Sequence, residues 1–337
     1  MSLRILFEKI LNSIFYWILF NICHWSELDI FFWLFKKRRW IWMFPNELYL
    51  ADRNISQQIL THYANSHFQK TQIDQKSPLA QSFLNDSQRN PRERRLFTKK
   101  LRICDDYIDL FKQSTQQLIH RWKSTRNSIV NITDECTHLA TQIIQQTLTH
   151  SNHLFDENNL KLFLSAGSET SSTTLSLALL TLAHRQDIQN ELRQHDSSFD
   201  SFLNEIIRFW CIAPLIARQC THPISFQQLS IPRHTNVNIF TWAIHRLESN
   251  QFDCYSTMKD ASLSFSKGSR MCPGKEFAIN ELKIVLSTLI RSIHFEPITN
   301  SSLDSNEIFR QQLFDIDWQH SVLHTKQDIF LKINFLS

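Results

Sequence analysis

The segment Phe265-Ser-Lys-Gly-Ser-Arg-Met-Cys-Pro-Gly274 constrains this chain more than any other. It spends two of only three glycines in 337 residues on bracketing one cysteine, Cys272, and the helix-like run Lys275-Glu-Phe-Ala278 follows at once. Gly268 and Gly274 tolerate backbone angles that other residues resist, so the chain can wrap closely around something flat and aim amide N–H groups at the sulfur. Those donors, the positive end of the helix beyond Pro273 and the guanidinium of Arg270 favour thiolate over thiol. Cys272 is therefore a candidate metal ligand, and the plainer alternative is a buried structural cysteine beside a helix. Glycine is far below the usual roughly 7%, so few tight turns are available and a mainly helical protein follows. The third glycine, Gly167, falls in a second motif described below.

The cysteine segment closely resembles the haem-binding signature of the cytochrome P450 family, F-x-x-G-x-R-x-C-x-G. Phe265, Gly268, Arg270, Cys272 and Gly274 occupy its fixed positions. At ordinary residue frequencies five such positions coincide at well under about one start site in a million. The resemblance implies a mainly α fold with a small β-sheet, with haem b (iron protoporphyrin IX) as cofactor and Cys272 as its axial metal ligand. Phe265, Gly268, Arg270 and Gly274 would be cofactor-binding, with Arg270 reaching a propionate.

The second motif lies in the segment Phe155–Ala183. Asp156 can cap a helix there, and Leu160, Phe163, Leu164, Leu175, Leu179 and Leu182 supply a stripe broad enough for a buried central helix. In its middle, Ala166-Gly-Ser-Glu-Thr-Ser171 combines a glycine, worth about 1 kcal/mol less than alanine in a helix, with hydroxyl residues that invite local distortion. The motif resembles A-G-x-[DE]-T of the same family, where the helix opens to admit dioxygen. That resemblance implies catalytic roles for Thr170, as a hydrogen-bond donor to oxygen, and for Glu169, in proton supply. A polar patch in a core helix is the plainer alternative.

Other landmarks follow the same family order. Glu205 and Arg208, three apart in Phe202-Leu-Asn-Glu-Ile-Ile-Arg-Phe209, can pair on one helix face, and the resemblance makes that pair structural. Pro214-Leu-Ile-Ala-Arg218 resembles a strand entry whose arginine reaches a propionate. Arg92-Glu-Arg-Arg-Leu-Phe97 resembles a helix with a W-x-x-x-R pattern, which puts Arg94 at the propionate position but Asn90 where tryptophan belongs; a solvated basic face explains the same residues. Lys267, Lys275 and Lys283 offer either a docking face for an acidic electron donor or ordinary solvated lysines.

Residues 1–45 read as an N-terminal hydrophobic membrane anchor and basic linker, with 46–337 as the haem-thiolate domain. Ile14-Phe-Tyr-Trp-Ile-Leu-Phe20 and Phe31-Phe-Trp-Leu-Phe35 precede Lys36-Lys-Arg-Arg39, a cationic cluster of the kind held on the cytosolic side. Glu8, Lys9, Asn12, Asn21, Glu27 and Asp29 interrupt the span, which falls short of about 20 clean apolar residues. A signal-anchor, an interfacial anchor and a buried helix are the alternatives, and no A-x-A-like cleavage site points to secretion. Seven cysteines without a C-x-x-C pair argue for a reducing compartment over a disulfide framework or zinc site. The net charge of +4 is mild and points to neither a nucleic-acid binder nor a strongly acidic partner, with a local basic face left open.

The likeness also has gaps. Few residues separate the helix ending near His150 from the one starting near Asp156, where the family places a helical roof. The stretch from Arg246 to Phe265 is too short for the usual P-E-R-F segment, whose absence would leave the Glu205–Arg208 pair less well satisfied. The expectation is thus a cytochrome P450-like fold with a reduced F–G helical region and meander. Its function would be monooxygenation of an apolar small molecule, with electrons from a NADPH-dependent cytochrome reductase, at the endoplasmic reticulum membrane with the catalytic domain facing the cytosol. The alternative is a truncated non-catalytic remnant that binds haem or acts only as a helical membrane-associated protein.

Overall fold

The run Leu175–Ala183 is apolar apart from Ser176 and Thr181, and a helix apolar on every side has to be buried all round. A computed structural model describes residues 3–21, 27–43, 46–70, 90–102, 104–125, 127–149, 157–249, 251–255, 263–298, 315–317, 322–325 and 327–336. The apolar run forms the C-terminal half of helix α7 (Glu157–His184), and every residue from Thr174 to Ala183 is buried. Around it pack α6 (Ile132–Thr149), α8 (Gln186–Gln194), α9 (Phe199–Trp210) and α11 (Lys275–Ser292). The remaining helices are α1 (Leu3–Asn21), α2 (Glu27–Lys37), α3 (Arg53–Leu60), α4 (Asn90–Lys100), α5 (Asp105–Thr125) and α10 (Thr241–Glu248).

The strands are β1 (Trp40–Met43), β2 (Glu47–Leu50), β3 (Phe68–Gln69), β4 (Ile129–Asn131), β5 (Leu215–Cys220), β6 (Ile224–Phe226), β7 (Leu229–Ile231), β8 (Asn236–Phe240), β9 (Ile293–Pro297), β10 (Asp315–Asp317), β11 (Val322–His324) and β12 (Phe330–Phe335). One five-stranded sheet runs in the order β1-β2-β8-β5-β3, and β2 and β8 are its parallel pair. A three-stranded sheet has the order β4-β12-β9, and β6–β7 and β10–β11 are hairpins. The protein is therefore mainly α with small sheets, as its scarcity of glycine implies.

Local chemistry explains several element boundaries. Asp52 caps α3 by accepting from the Ile55 amide at 2.9 Å. Asp105 and Asp106 begin α5, whose buried Tyr107, Phe111, Leu118 and Trp122 follow helical spacing. Phe111 and Tyr107 set their rings edge-on to Phe277 at 5.1 and 5.4 Å, so α5 fixes α11. Asp156, the expected cap of α7, lies outside the described residues.

Two expectations need revision. The helix carrying Ala166–Ser171 is continuous, and its hydroxyl groups bond back along it without breaking it. Thr170 Oγ1 donates to the Ala166 carbonyl at 2.7 Å, Thr174 Oγ1 to that of Thr170 at 2.7 Å and Ser176 Oγ to that of Ser172 at 2.9 Å. Gly167 serves packing: a Cβ there would stand 2.8 Å from Ile144 Cδ1 of α6. In addition, β1 pairs antiparallel with β2, Ile41 opposite Tyr49, and Phe31 of α2 packs on Tyr49 at 4.6 Å and on Phe240 at 5.2 Å. The sheet and its aromatic core thus run across position 45, where the sequence divides anchor from domain.

Glu205 and Arg208 form a buried bidentate pair, Nε to Oε2 at 2.6 Å and Nη2 to Oε1 at 2.7 Å. The expected shortage of partners does not arise. Arg208 also donates to the carbonyls of His245 at 2.9 Å, Ser249 at 2.8 Å and Gln251 at 2.9 Å, while Glu205 accepts the Asp253 amide at 2.8 Å. Backbone from residues 245–253 completes the network in place of a third side chain. Removing the acid leaves a buried guanidinium with part of its donors unmet, so Glu205→Ala is expected to lose about 3–5 kcal/mol of stability, read from denaturant unfolding.

Candidate functional site

The loop before α11 is folded by its own backbone. The Ser266 amide donates to the Leu263 carbonyl at 2.9 Å, that of Met271 to Gly268 at 3.2 Å and that of Cys272 to Phe265 at 2.8 Å. Ser264 Oγ ties the loop to α9 through the Ile207 carbonyl at 3.0 Å. Gly268 has φ +73°, and a Cβ there would lie 2.1 Å from the Leu60 carbonyl oxygen, so the turn sits directly on the end of α3 and only glycine fits. Gly274 is different: its φ of −92° is open to any residue, and a Cβ would lie 4.0 Å from Cys272 Sγ. A Cβ there would make only ordinary contacts, with Leu101 Cδ1 at 3.6 Å as well.

The thiol's surroundings are mixed. Burial pushes the Cys272 pKa up, while the Gly274 amide and the charges of Arg94 and Lys275 pull it down. Burial and these donors oppose one another at the sulfur, and a bound cation would favour the thiolate. Arg270, expected to act on the sulfur, instead repels Lys70, Arg94 and Arg218.

Cys272 opens into a cavity of about 500 Å³ whose other walls come from α4, α6, α7, β5 and α11. Phe265, Phe97, Ile144, Ala166, Gly167 and Ile216 make it largely apolar. Among the described residues, four cations line it: Lys70, Arg94, Arg218 and Arg270. Burial and the three arginines push the Lys70 pKa down to about 7, and burial with Arg270 pushes Arg218 to about 10. Arg218 is buried, and its Nε has no acceptor among the described residues. Arg94 donates to the Met271 carbonyl and so reaches the cysteine loop despite the asparagine at position 90. Cations that repel one another around an apolar cavity with a thiol at its wall fit a flat apolar group with anionic arms and a thiolate-binding metal.

The structure brings Phe265, Gly274, Arg94, Arg218, Arg270, Cys272 and Thr170 to this cavity. Gly268 stays outside it as the loop's hinge against α3. Glu169 is absent from the lining and accepts from Ser165 Oγ at 3.2 Å. Sequence reading missed two residues. Lys70 follows the short β3 and carries no motif. Glu281 is fully buried on α11, its Oε2 accepting from Ser171 Oγ at 2.8 Å and its Oε1 without a partner among the described residues. The available signal was a lone acid at the i, i+4 spacing between buried Phe277 and Val285.

Burial raises the Glu281 pKa from 4.5 to about 8. Between those values the folded protein keeps a proton that the unfolded chain releases. Stability contributed by the neutral acid is therefore lost as pH rises, by at most about 1.4 kcal/mol per pH unit. Glu281→Gln should flatten that decline between about pH 5 and 8 in denaturant titrations, and an unchanged slope would refute the assignment.

Residues 157–314, which carry α7, the buried pair and the cysteine loop, match the family model described as cytochrome P450. The chain is 27% identical over 256 residues to "Cytochrome P450 3A2" of Rattus norvegicus, covering 60% of this chain and 47% of that protein. It is 28% identical over 203 residues to "Probable cytochrome P450 4ac2" of Drosophila melanogaster, covering 51% and 37% respectively. With "Cytochrome P450 3A5" of Homo sapiens it shares 26% identity over 172 residues, 42% of this chain and 34% of that one. The matches thus span half or less of the length of these curated relatives.

Proposed function

We propose, the chain belonging over residues 157–314 to the cytochrome P450 family, that it is a haem-thiolate monooxygenase module. It would place one atom of dioxygen into an apolar organic substrate, with electrons from a NADPH-dependent reductase. The observation that carries this reading is the cation set of Lys70, Arg94, Arg218 and Arg270 lining one apolar cavity with Cys272.

Cys272 would hold the iron, and the four cations the propionates, which would relieve their mutual repulsion and give the buried Arg218 Nε its acceptor. Thiolate-ligated haem iron, when bound, supplies dioxygen activation by pushing electron density toward O–O cleavage. The protein's own contribution is placement and dryness. Phe97, Ile144, Phe265 and Ile216 exclude water from the cavity walls. The Thr170 hydroxyl, parked on the Ala166 carbonyl, can rotate toward the cavity to hold a proton there. Glu169, one residue earlier and outside the lining, would take part in the proton supply. Lys267, Lys275 and Lys283 would face the acidic electron donor, and the setting would be the cytosolic face of the endoplasmic reticulum membrane.

A second reading, haem binding without turnover, is favoured by one observation. Only residues 150–156 separate α6 from α7, and the two helices pack directly on each other. A cavity with less cover admits water and releases reduced oxygen in place of product.

Spectroscopy and turnover separate these readings. The full chain supplied with haemin, then reduced and treated with carbon monoxide, should show the red-shifted Soret band of thiolate-bound haem. Cys272→Ala should abolish it, and Arg218→Ala should weaken haem retention by about tenfold or more. A chain that stays colourless, or whose ligand proves to be nitrogen, overturns the proposal. A normal band with NADPH consumed and no apolar substrate oxidised establishes the second reading.

A further inference from the structure

Helix α1 is inside out. At 3.6 residues per turn, Trp17, Ile10, Ile14, Leu11 and Phe15 fall in that order within about 160° of one face. That face points away from the protein: Ile14 is 51% and Trp17 58% exposed, and Ile10, Leu11 and Phe15 are exposed as well. The polar residues point inward. Lys9 is only 2% exposed, with Nζ donating to Asn46 Oδ1 at 3.2 Å and lying 5.1 Å from the Trp42 ring. Asn12 Nδ2 donates to the Trp42 carbonyl at 2.9 Å, on the outer edge of strand β1. A water-soluble surface helix has the opposite orientation, and a contiguous apolar patch of this kind marks a partner.

Charge identifies the partner. Arg38 pairs with Glu8 at 2.9 Å, on the rim of the stripe. Lys37 lies 4.8 Å from the Trp33 ring, which stacks on Phe15 at 5.5 Å. Lys36 and Arg39 are exposed beside them. An apolar stripe edged by cations and carrying a tryptophan suits the boundary of an anionic lipid bilayer. We propose that α1 lies flat in the headgroup region of an anionic membrane while its polar face stays bonded to the edge of the five-stranded sheet. Crossing the bilayer would require α1 to give up those bonds and bury Glu8, Lys9 and Asn12, and no helix among the described residues is long and apolar enough to cross. The inference deepens the membrane part of the function proposed above and is independent of haem.

The test uses the full chain and vesicles of phosphatidylcholine alone or with roughly one-third phosphatidylserine. The protein should float with the anionic vesicles and be released by an alkaline carbonate wash. Ile14→Glu with Trp17→Glu should reduce flotation at least about tenfold, and Lys36→Gln with Lys37→Gln about fivefold per cation on anionic vesicles only. Circular dichroism and the haem spectrum of each variant report folding and cofactor separately, so failure of the haem reading leaves this result interpretable. Should the apolar variant not fold, tryptophan quenching of the unaltered chain by brominated lipids decides: quenching confined to shallow positions supports the in-plane helix. Quenching through the bilayer centre, resistance to carbonate, or absence of flotation overturns it. So does a lipid-free dimer that Trp17→Glu dissociates, which would assign the stripe to a second copy of the chain.

Discussion

The bidentate contact between Glu205 and Arg208 fixes the frame on which the rest of the site hangs. It gathers the end of α10 and residues 249–253 against α9 through carbonyls and one amide. From α9 the Ile207 carbonyl then receives Ser264, at the root of the cysteine loop. Position therefore passes from a buried ion pair to a backbone oxygen and on to the loop that carries Cys272. Two charges withdrawn from water are tolerated because nearly every donor and acceptor is answered. Arg246 extends this frame, its guanidinium 3.8 Å from the Phe209 ring and donating to the Phe209 carbonyl at 3.0 Å.

The cavity follows the opposite principle. Among the described residues its cations are gathered without an acid to neutralise them, and the one acid in its wall, Glu281, is itself driven toward its neutral form by burial. Such a site is held open by the surrounding packing, with Phe97 stacked on Phe163 at 5.4 Å and Phe277 wedged against α5. An anionic ligand would relax it, so ligand and fold should stabilise each other by mass action. The same logic applies to the sulfur, whose ionisation burial opposes and a bound cation would favour.

Glycine illustrates how one residue type answers different demands. Gly268 is required by φ and by the Leu60 carbonyl, Gly167 by the Ile144 side chain, and Gly274 by neither of these. A reading in which each glycine marks backbone distortion is right for the first and wrong for the other two. Likewise the hydroxyl run on α7 suggests a broken helix, yet its side chains bond to carbonyls of their own helix and leave it continuous.

The amino-acid sequence by itself determined the helical class, the cysteine loop and the Glu205–Arg208 pair, because each rests on neighbours in the chain: scarce glycine, five residues in ten, an i, i+3 spacing. Tertiary structure alone decided which distant groups share a cavity. Lys70 and Glu281 stand about 200 residues apart and belong to no local pattern, yet both line it with Cys272. It also decided that the polar side of α1 faces the sheet, since periodicity shows that a helix has two faces but not which one the neighbouring strand will bond. Local spacing carries information only over a turn or two; convergence of cations, orphaned donors and an inverted helix are properties of packing between elements.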